Sequence, residues 1–227
     1  MMSATLKNLP QHPVRSLVPA LEVLESMGIE RQACLRGSGI MGSQLEDDAA
    51  RMTLQQELVF YRNALELSGD PAIGLRLGVP FVPQRYGLFG YAFLSAPTLR
   101  HAMTIVSNYG PLTFTLFRTD FRETGEAGIL QFSRQIDIPP DLLGFYVDRD
   151  MAAALSGSEP DQATPIRPVR VALMHDGQGR RKDYEAFFGC PVSFGAPRSE
   201  LWVDAALLDI PMPMGDTQTS AICQQQC

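Results

Sequence analysis

The hydrophobic pattern of this 227-residue chain changes period once, near Val79, and that change limits the fold more than any other feature. Before it, apolar residues recur at helical spacing; after it, short alternating runs sit between helical stretches. Val14, Leu17, Val18, Leu21, Leu24 and Met27 lie along one helical face, with Gly28 as C-terminal cap. Thr53 and Gln56 have capping-box spacing, and Leu54, Leu58, Tyr61 and Leu65 then line a second face up to Gly69. Asp70 and Pro71 predict the cap and first position of a short third helix ending near Gly78.

Beyond Val79, residues 85–95 are rich in aromatics and glycine and read as a strand or a compact loop. Pro97 opens a helix striped by Leu99, Ala102, Met103 and Val106. Leu112, Phe114 and Leu116 alternate with Thr113 and Thr115. The chain turns around Gly125–Gly128, and Leu130, Phe132 and Ile136 alternate on the way back. Pro139 and Pro140 start a helix with Leu143, Val147, Met151, Ala154 and Leu155 on its inner face. After a linker at 157–168, residues 169–175 predict a strand, 180–188 a helix, and 190–196 and 200–204 two more strands. The expectation is an α+β fold. A helical N-terminal region (1–78) shares one domain with an α+β region (79–213), in which two strand-helix-strand-strand units, 85–137 and 168–205, form antiparallel sheet. Residues 214–227 read as a polar tail.

Composition enters as an exclusion. Hydrophobic residues are 45% and charged residues 19% of the chain, which is too apolar for a disordered protein. Nineteen Lys and Arg against twenty-five Asp and Glu leave a net charge of -6, so the chain offers no basic face to a phosphate backbone. Four cysteines (Cys34, Cys190, Cys223 and Cys227) are too sparse for a disulfide scaffold. The first residues lack the apolar core of a signal peptide and no stretch reads as a membrane span. A cytoplasmic protein with no membrane partner is expected.

Motifs for catalysis and ligation fail on context. Residues 37–42, GSGIMG, have dinucleotide-binding spacing, but a helical segment precedes them where a strand is required; a flexible interhelical loop is the expectation. His12, His101 and His175 lie far apart with no His or Cys at ligand spacing, and no serine or cysteine sits in a nucleophile motif. The acidic pairs Glu46/Asp47/Asp48 and Asp148/Asp150 read as solvated faces or helix ends. No catalytic residue, metal ligand or cofactor is expected.

Five residues are candidates for a binding site. Counting alternately from Leu112 puts Arg118 on the apolar face, and Arg134 falls on the face of Leu130 and Phe132. A buried guanidinium needs an anionic or multiply accepting partner, such as a bound carboxylate. Snorkelling at a strand end, or pairing with an internal carboxylate, would satisfy each arginine equally. His175 extends the face of Val169, Val171 and Leu173, either as a structural histidine or as a ligand contact. Tyr86 and Phe89, with Tyr91 and Phe93, form an aromatic cluster that walls a pocket or packs the core. His101 points away from its helix stripe.

Four segments carry a family resemblance: GDPAIGLRLG (69–78), YGLFGYAFLSAPTLRHAM (86–103), YEAFFGCPVSF (184–194) and LLDIPMP (207–213). With the helical beginning, their order and spacing resemble the N-terminal effector domain of AraC/XylS-type transcriptional regulators. The closer likeness is to the arabinose-binding-like branch that includes ornithine-utilisation-type regulators. The resemblance covers residues 14–213. It implies a sensing region that binds a small molecule. With the two arginines on apolar faces, the expected effector is a small organic acid, amino acid or fatty-acid-like molecule contacted by Arg118 or Arg134. Tyr86, Phe89 and His175 are the other candidate contacts. The resemblance also implies a homodimer as one mode of assembly. DNA contact would belong to a helix-turn-helix domain that the 214–227 tail would lead into and that is absent here. Arabinose itself is not implied. A dimerisation module without ligand and a small-molecule enzyme are the alternatives.

Overall fold

The computed structural model describes residues 11–156 and 166–227, and within them the helical half forms where its caps dictate. The antiparallel pair β1 (His12–Pro13) and β2 (Arg51–Met52) clasps the beginning of the chain. A 3-10 turn at Val14–Leu17 runs into α1 (Val18–Ser26), and Gly28 closes it at φ +83°. After α2 (Arg31–Leu35), the GSGIMG segment is a loop with Gly37 and Gly39 at positive φ. In α3 (Leu54–Ser68) both arms of the capping box form. The Gln56 N–H donates to Thr53 Oγ1 at 3.3 Å, and the Thr53 N–H donates to Gln56 Oε1 at 3.0 Å. Then α4 (Ile73–Gly78) follows the Asp70 side chain, which accepts from the Ala72 N–H at 3.0 Å.

The first part of the α+β region departs from the expected strand. Residues 88–94 form α5 (Leu88–Leu94), entered through a 3-10 turn at Pro83–Tyr86. Its buried residues Phe89, Ala92 and Phe93 stand at helical spacing, and burial of that face overrides the strand preference of the aromatics. Thr98 caps α6 (Leu99–Tyr109). The hairpin β3 (Phe117–Glu123) and β4 (Ala127–Arg134) pairs Thr119 with Phe132 and Phe117 with Arg134. Next comes α7 (Pro140–Ser156); of the expected linker, residues 157–165 lie outside the described residues. The chain resumes with β5 (Arg170–Ala172), α8 (Arg181–Phe188), β6 (Val192–Ser193) and β7 (Ser199–Asp204). The second unit thus has the order read from sequence, whereas the first begins with a helix. The polar end holds α9 (Thr217–Gln226), capped by Asp216.

Among the described residues, five strands form one sheet in the order β3-β4-β7-β5-β6. Every pairing is antiparallel except β5 with β6. One face carries Thr119, Leu130, Phe132, Leu201 and Val171 toward the helices. The other carries Arg118, Asp120, Arg122, Glu200 and Trp202, with Arg122 and Arg170 stacked over the Trp202 ring at 5.6 and 5.0 Å. A single hydrophobic cluster runs from Val14 to Met212 and joins the N-terminal helices to this sheet.

The helix α7 passes through the middle of that cluster. Leu142, Phe145, Tyr146, Val147, Met151, Ala152 and Leu155 are buried on it, and so are Asp148, Arg149 and Asp150. It lies against α4 at backbone distance because Gly74 and Gly78, four apart, present no side chain. A Cβ at Gly74 would stand 2.9 Å from Asp148 Cβ. One at Gly78 would stand 2.7 Å from Ala152 Cβ and press on the Arg149 carbonyl. Backbone cannot yield as a side-chain tip does, so overpacking here is destabilising. Gly78→Ala is expected to cost about 1–3 kcal/mol, lowering Tm by roughly 3–10 °C for a chain of this size. Gly125→Ala, where nothing lies within 4 Å of the added carbon, should leave Tm unchanged in the same calorimetric melts.

Candidate functional site

Between α5, α6, the β3–β4 hairpin and α7 lies a cavity of about 90 Å³ that opens at a mouth. Its enclosed part is below the range of a drug-sized pocket and suits a small molecule or part of one. Its walls are mainly aromatic: Phe81, Tyr86, Phe89, Phe93, Phe114 and Phe132. Tyr86 packs on Phe89 and Phe114 with ring centroids 5.8 and 5.0 Å apart. One pole is polar, formed by Arg149 and Asp150 of α7 with Thr113, Thr115 and Thr119.

Behind that pole is a buried ionic cluster. Arg149 and Glu57 are each 2% exposed. Arg149 Nη1 reaches Glu57 Oε1 at 3.2 Å, its Nε donates to Asp150 Oδ1 at 2.8 Å, and its Nη2 donates to the Phe114 carbonyl at 2.7 Å. His12 Nδ1 lies 2.6 Å from Glu57 Oε2, and Thr115 donates its hydroxyl to Asp150 Oδ2 at 2.6 Å. The guanidinium also lies over the Tyr146 ring at 4.6 Å and the Tyr61 ring at 5.3 Å. Burial alone pulls an arginine down, but Asp150, Tyr61 and Glu57 hold Arg149 well above its usual range. Burial pushes the carboxyl of Glu57 up, and His12 with Arg149 reverses this, so that it titrates below the usual range. Asp150 stays raised, because burial there outweighs Arg149 and Thr115.

Two of the five candidates, Tyr86 and Phe89, meet in this cavity. The arginines do not. Arg118 points to solvent from the outer face of the sheet, with its side chain 69% exposed, and pairs with Asp120 at 2.9 Å. The parity slipped because Gly110–Leu112 is a 3-10 turn and the strand starts only at Phe117. Leu116 and Phe117 are both buried, so a count begun at Leu112 is one residue out of phase. Arg134 has the core-side parity of Phe132 but ends β4 and is exposed.

His175 belongs to a separate polar cleft between α7 and α8. The Gly177 N–H donates to its Nδ1 at 3.0 Å, which puts the ring proton on Nε2 facing Asp148 Oδ1 at 2.9 Å. Tyr184 donates its hydroxyl to the other Asp148 oxygen at 2.7 Å. Burial raises the Asp148 carboxyl against the pull of these two partners. Asp148 and Asp150, expected at solvent, are therefore interior groups. The signal for this was the surrounding helix: residues 142–155 are apolar on every side, and a helix without a polar face is buried.

Residues 28–212 match the family described as the N-terminal arabinose-binding domain of the AraC transcription regulator. Among curated proteins, the chain is 28% identical over 222 residues to the uncharacterized HTH-type transcriptional regulator Rv1395 of Mycobacterium tuberculosis. That match covers 96% of this chain and 64% of the relative. It is 25% identical over 220 residues to the ornithine utilization regulator of Pseudomonas aeruginosa, covering 95% and 63%. The crystal structure of the transcriptional regulator CdpR from Pseudomonas aeruginosa shares the fold. Its TM-score is 0.68 at 17% identity, over 94% of this chain and 62% of that one. The chain thus spans less than two thirds of the length of these proteins.

Removing the central cation tests the cluster. Arg149→Met would leave Glu57 and Asp150 buried without their counterion, an expected loss of about 3–5 kcal/mol. Arg118→Ala should stay within about 0.5 kcal/mol of the parent, as exposed substitutions do. Parallel denaturant melts decide the contrast, and equal effects would refute it.

Proposed function

Because the chain belongs to the family of N-terminal arabinose-binding domains of AraC transcription regulators, we propose that it senses a small organic effector in the aromatic cavity of α5, α6 and α7. The observation that carries this reading is the cavity itself, an apolar chamber with polar groups converging at one pole. A module serving dimerisation alone would have a filled interior. A free sugar is a poor occupant, since each of its hydroxyls needs a partner and the walls are mostly hydrocarbon.

The same geometry supplies a route outward. Phe89 and Phe93 of α5 line the cavity, and other atoms of that helix and its C-terminal end hold α9. Ser220 donates its hydroxyl to the Ala92 carbonyl at 3.3 Å, and the Asp216 N–H donates to the Ser95 carbonyl at 2.9 Å. Tyr109, at the end of α6, donates to the Gln224 carbonyl at 3.3 Å. An occupant that binds one α5 position better than another shifts the population of that position, and with it the seat of α9. DNA contact is assigned to parts of the regulator outside this chain, a division supported by the charge of -6 and by the regulator names of the relatives. The setting that fits this work is the cytoplasm; no helix among the described residues is long and apolar enough to cross a membrane.

A thermal-shift screen across organic acids, amino acids, fatty acids and neutral aromatic compounds tests the reading. A specific effector at a hundredfold excess over its Kd stabilises the fold by about 2.7 kcal/mol. Ala154→Phe, which puts a ring into the cavity from α7, should abolish that shift while keeping a cooperative transition. A flat screen, or a shift that survives Ala154→Phe, refutes the assignment.

A further inference from the structure

The polar pole of the cavity can be accounted for donor by donor. N–H groups of Arg149 go to Asp150, Glu57 and the Phe114 carbonyl, and the guanidinium lies over the Tyr61 ring at 5.3 Å. The hydroxyls of Thr113, Thr115 and Thr119 are donated to the Gly110 carbonyl at 2.7 Å, Asp150 Oδ2 at 2.6 Å and the Val106 carbonyl at 2.9 Å. One donor remains. Among the described residues no group hydrogen-bonds the Tyr86 hydroxyl, so the half-buried side chain presents it where solvent can reach, and Tyr86 lines the cavity within electrostatic reach of Asp150 and Arg149. Burial, reinforced by Asp150, pushes this phenol far above its usual range, so it stays a neutral O–H. On the accepting side, Asp150 Oδ2 takes only the Thr115 hydroxyl and keeps a lone pair.

This inventory discriminates between ligand heads. A bound carboxylate needs several donors or an unmatched cation. Here it would find one phenol, a guanidinium already shared by two carboxylates, and Asp150 as a neighbour of its own sign. A hydroxyl suits the pole, because it accepts from Tyr86 and donates to Asp150 Oδ2. We propose that the cavity takes an apolar, aromatic-sized molecule bearing one neutral hydroxyl, an aryl-alkyl alcohol or a phenol, rejects the matching carboxylate, and uses Tyr86 to recognise the head. This rests on the cavity being the effector site.

Three isosteric probes, phenylpropanol, phenylpropanoate and propylbenzene, test it by titration calorimetry on the whole chain at neutral pH. The alcohol should bind at least about tenfold tighter than the carboxylate, the scale of one charge-assisted hydrogen bond left unmade. Tyr86→Phe, which deletes one oxygen and keeps the ring packing, should cut the advantage of the alcohol over propylbenzene about fivefold without lowering Tm. A carboxylate that binds as tightly as the alcohol overturns the proposal, as does an alcohol-to-hydrocarbon ratio unmoved by Tyr86→Phe. If none of the three binds, this ligand class is refuted, whereas effector sensing stands or falls on the broad screen and Ala154→Phe.

Discussion

The Arg149 guanidinium is the interaction on which the rest of the structure depends. It is held by Glu57 of α3, by its neighbour Asp150, and by the carbonyl of Phe114 ahead of β3. Glu57 in turn holds His12 of β1. One buried cation thereby joins the beginning of the chain, the second long helix, the central helix and the entrance to the sheet. Such a cluster contributes little net stability over a well-packed apolar core. Its consequence is geometric, because the two interior carboxylates are satisfied only where these four segments meet the guanidinium, His12 and Thr115. It also builds one wall of the cavity, so architecture and binding pole are the same set of atoms.

The central helix works on two sides at once. Arg149 and Asp150 face the aromatic cavity, and the preceding residue, Asp148, faces the polar cleft, where Tyr184 and His175 tie α7 to α8 and the segment after β5. On its third side, Gly74 and Gly78 let α4 lie against its backbone. Another wall of the cavity is α5. That helix has Gly87 at φ +57° before it, Phe89 and Phe93 against the cavity, and α9 on its far side.

Most local signals in the chain were legible to the residue. Thr53, Gln56 and Gly69 bound α3 and Gly28 closes α1, whereas α4 begins two residues after the expected Pro71, with Ala72 rather than Asp70 at its N-cap. The strand–helix–strand–strand order of the second unit could also be read, and so could the clustering of Tyr86 with Phe89, though not whether the pair walls a pocket or packs the core. The aromatic run at 88–94 was ambiguous, because its residues favour strands in isolation and only the surface they cover makes them helical. Arg118 was misplaced by a single residue of phase, since a 3-10 turn interrupts the alternation before the strand begins. Asp148, Arg149 and Asp150 were hidden by the general rule that charged residues are exposed, though the apolar girth of their helix pointed the other way.

The sequence by itself determined most helix caps, the α+β class, a net charge of -6, and a family resemblance spread over four segments. Each of these is written in residues close together or in sums over the whole chain. Tertiary structure alone decided which arginine is interior, which carboxylates share it, and which polar groups stand at one pole of the cavity. Those outcomes depend on partners far apart in the chain: Glu57 lies 92 residues from Arg149, and Thr115 lies 35 from Asp150. A charge is buried or exposed according to what stands opposite it, and that is settled only when the segments meet.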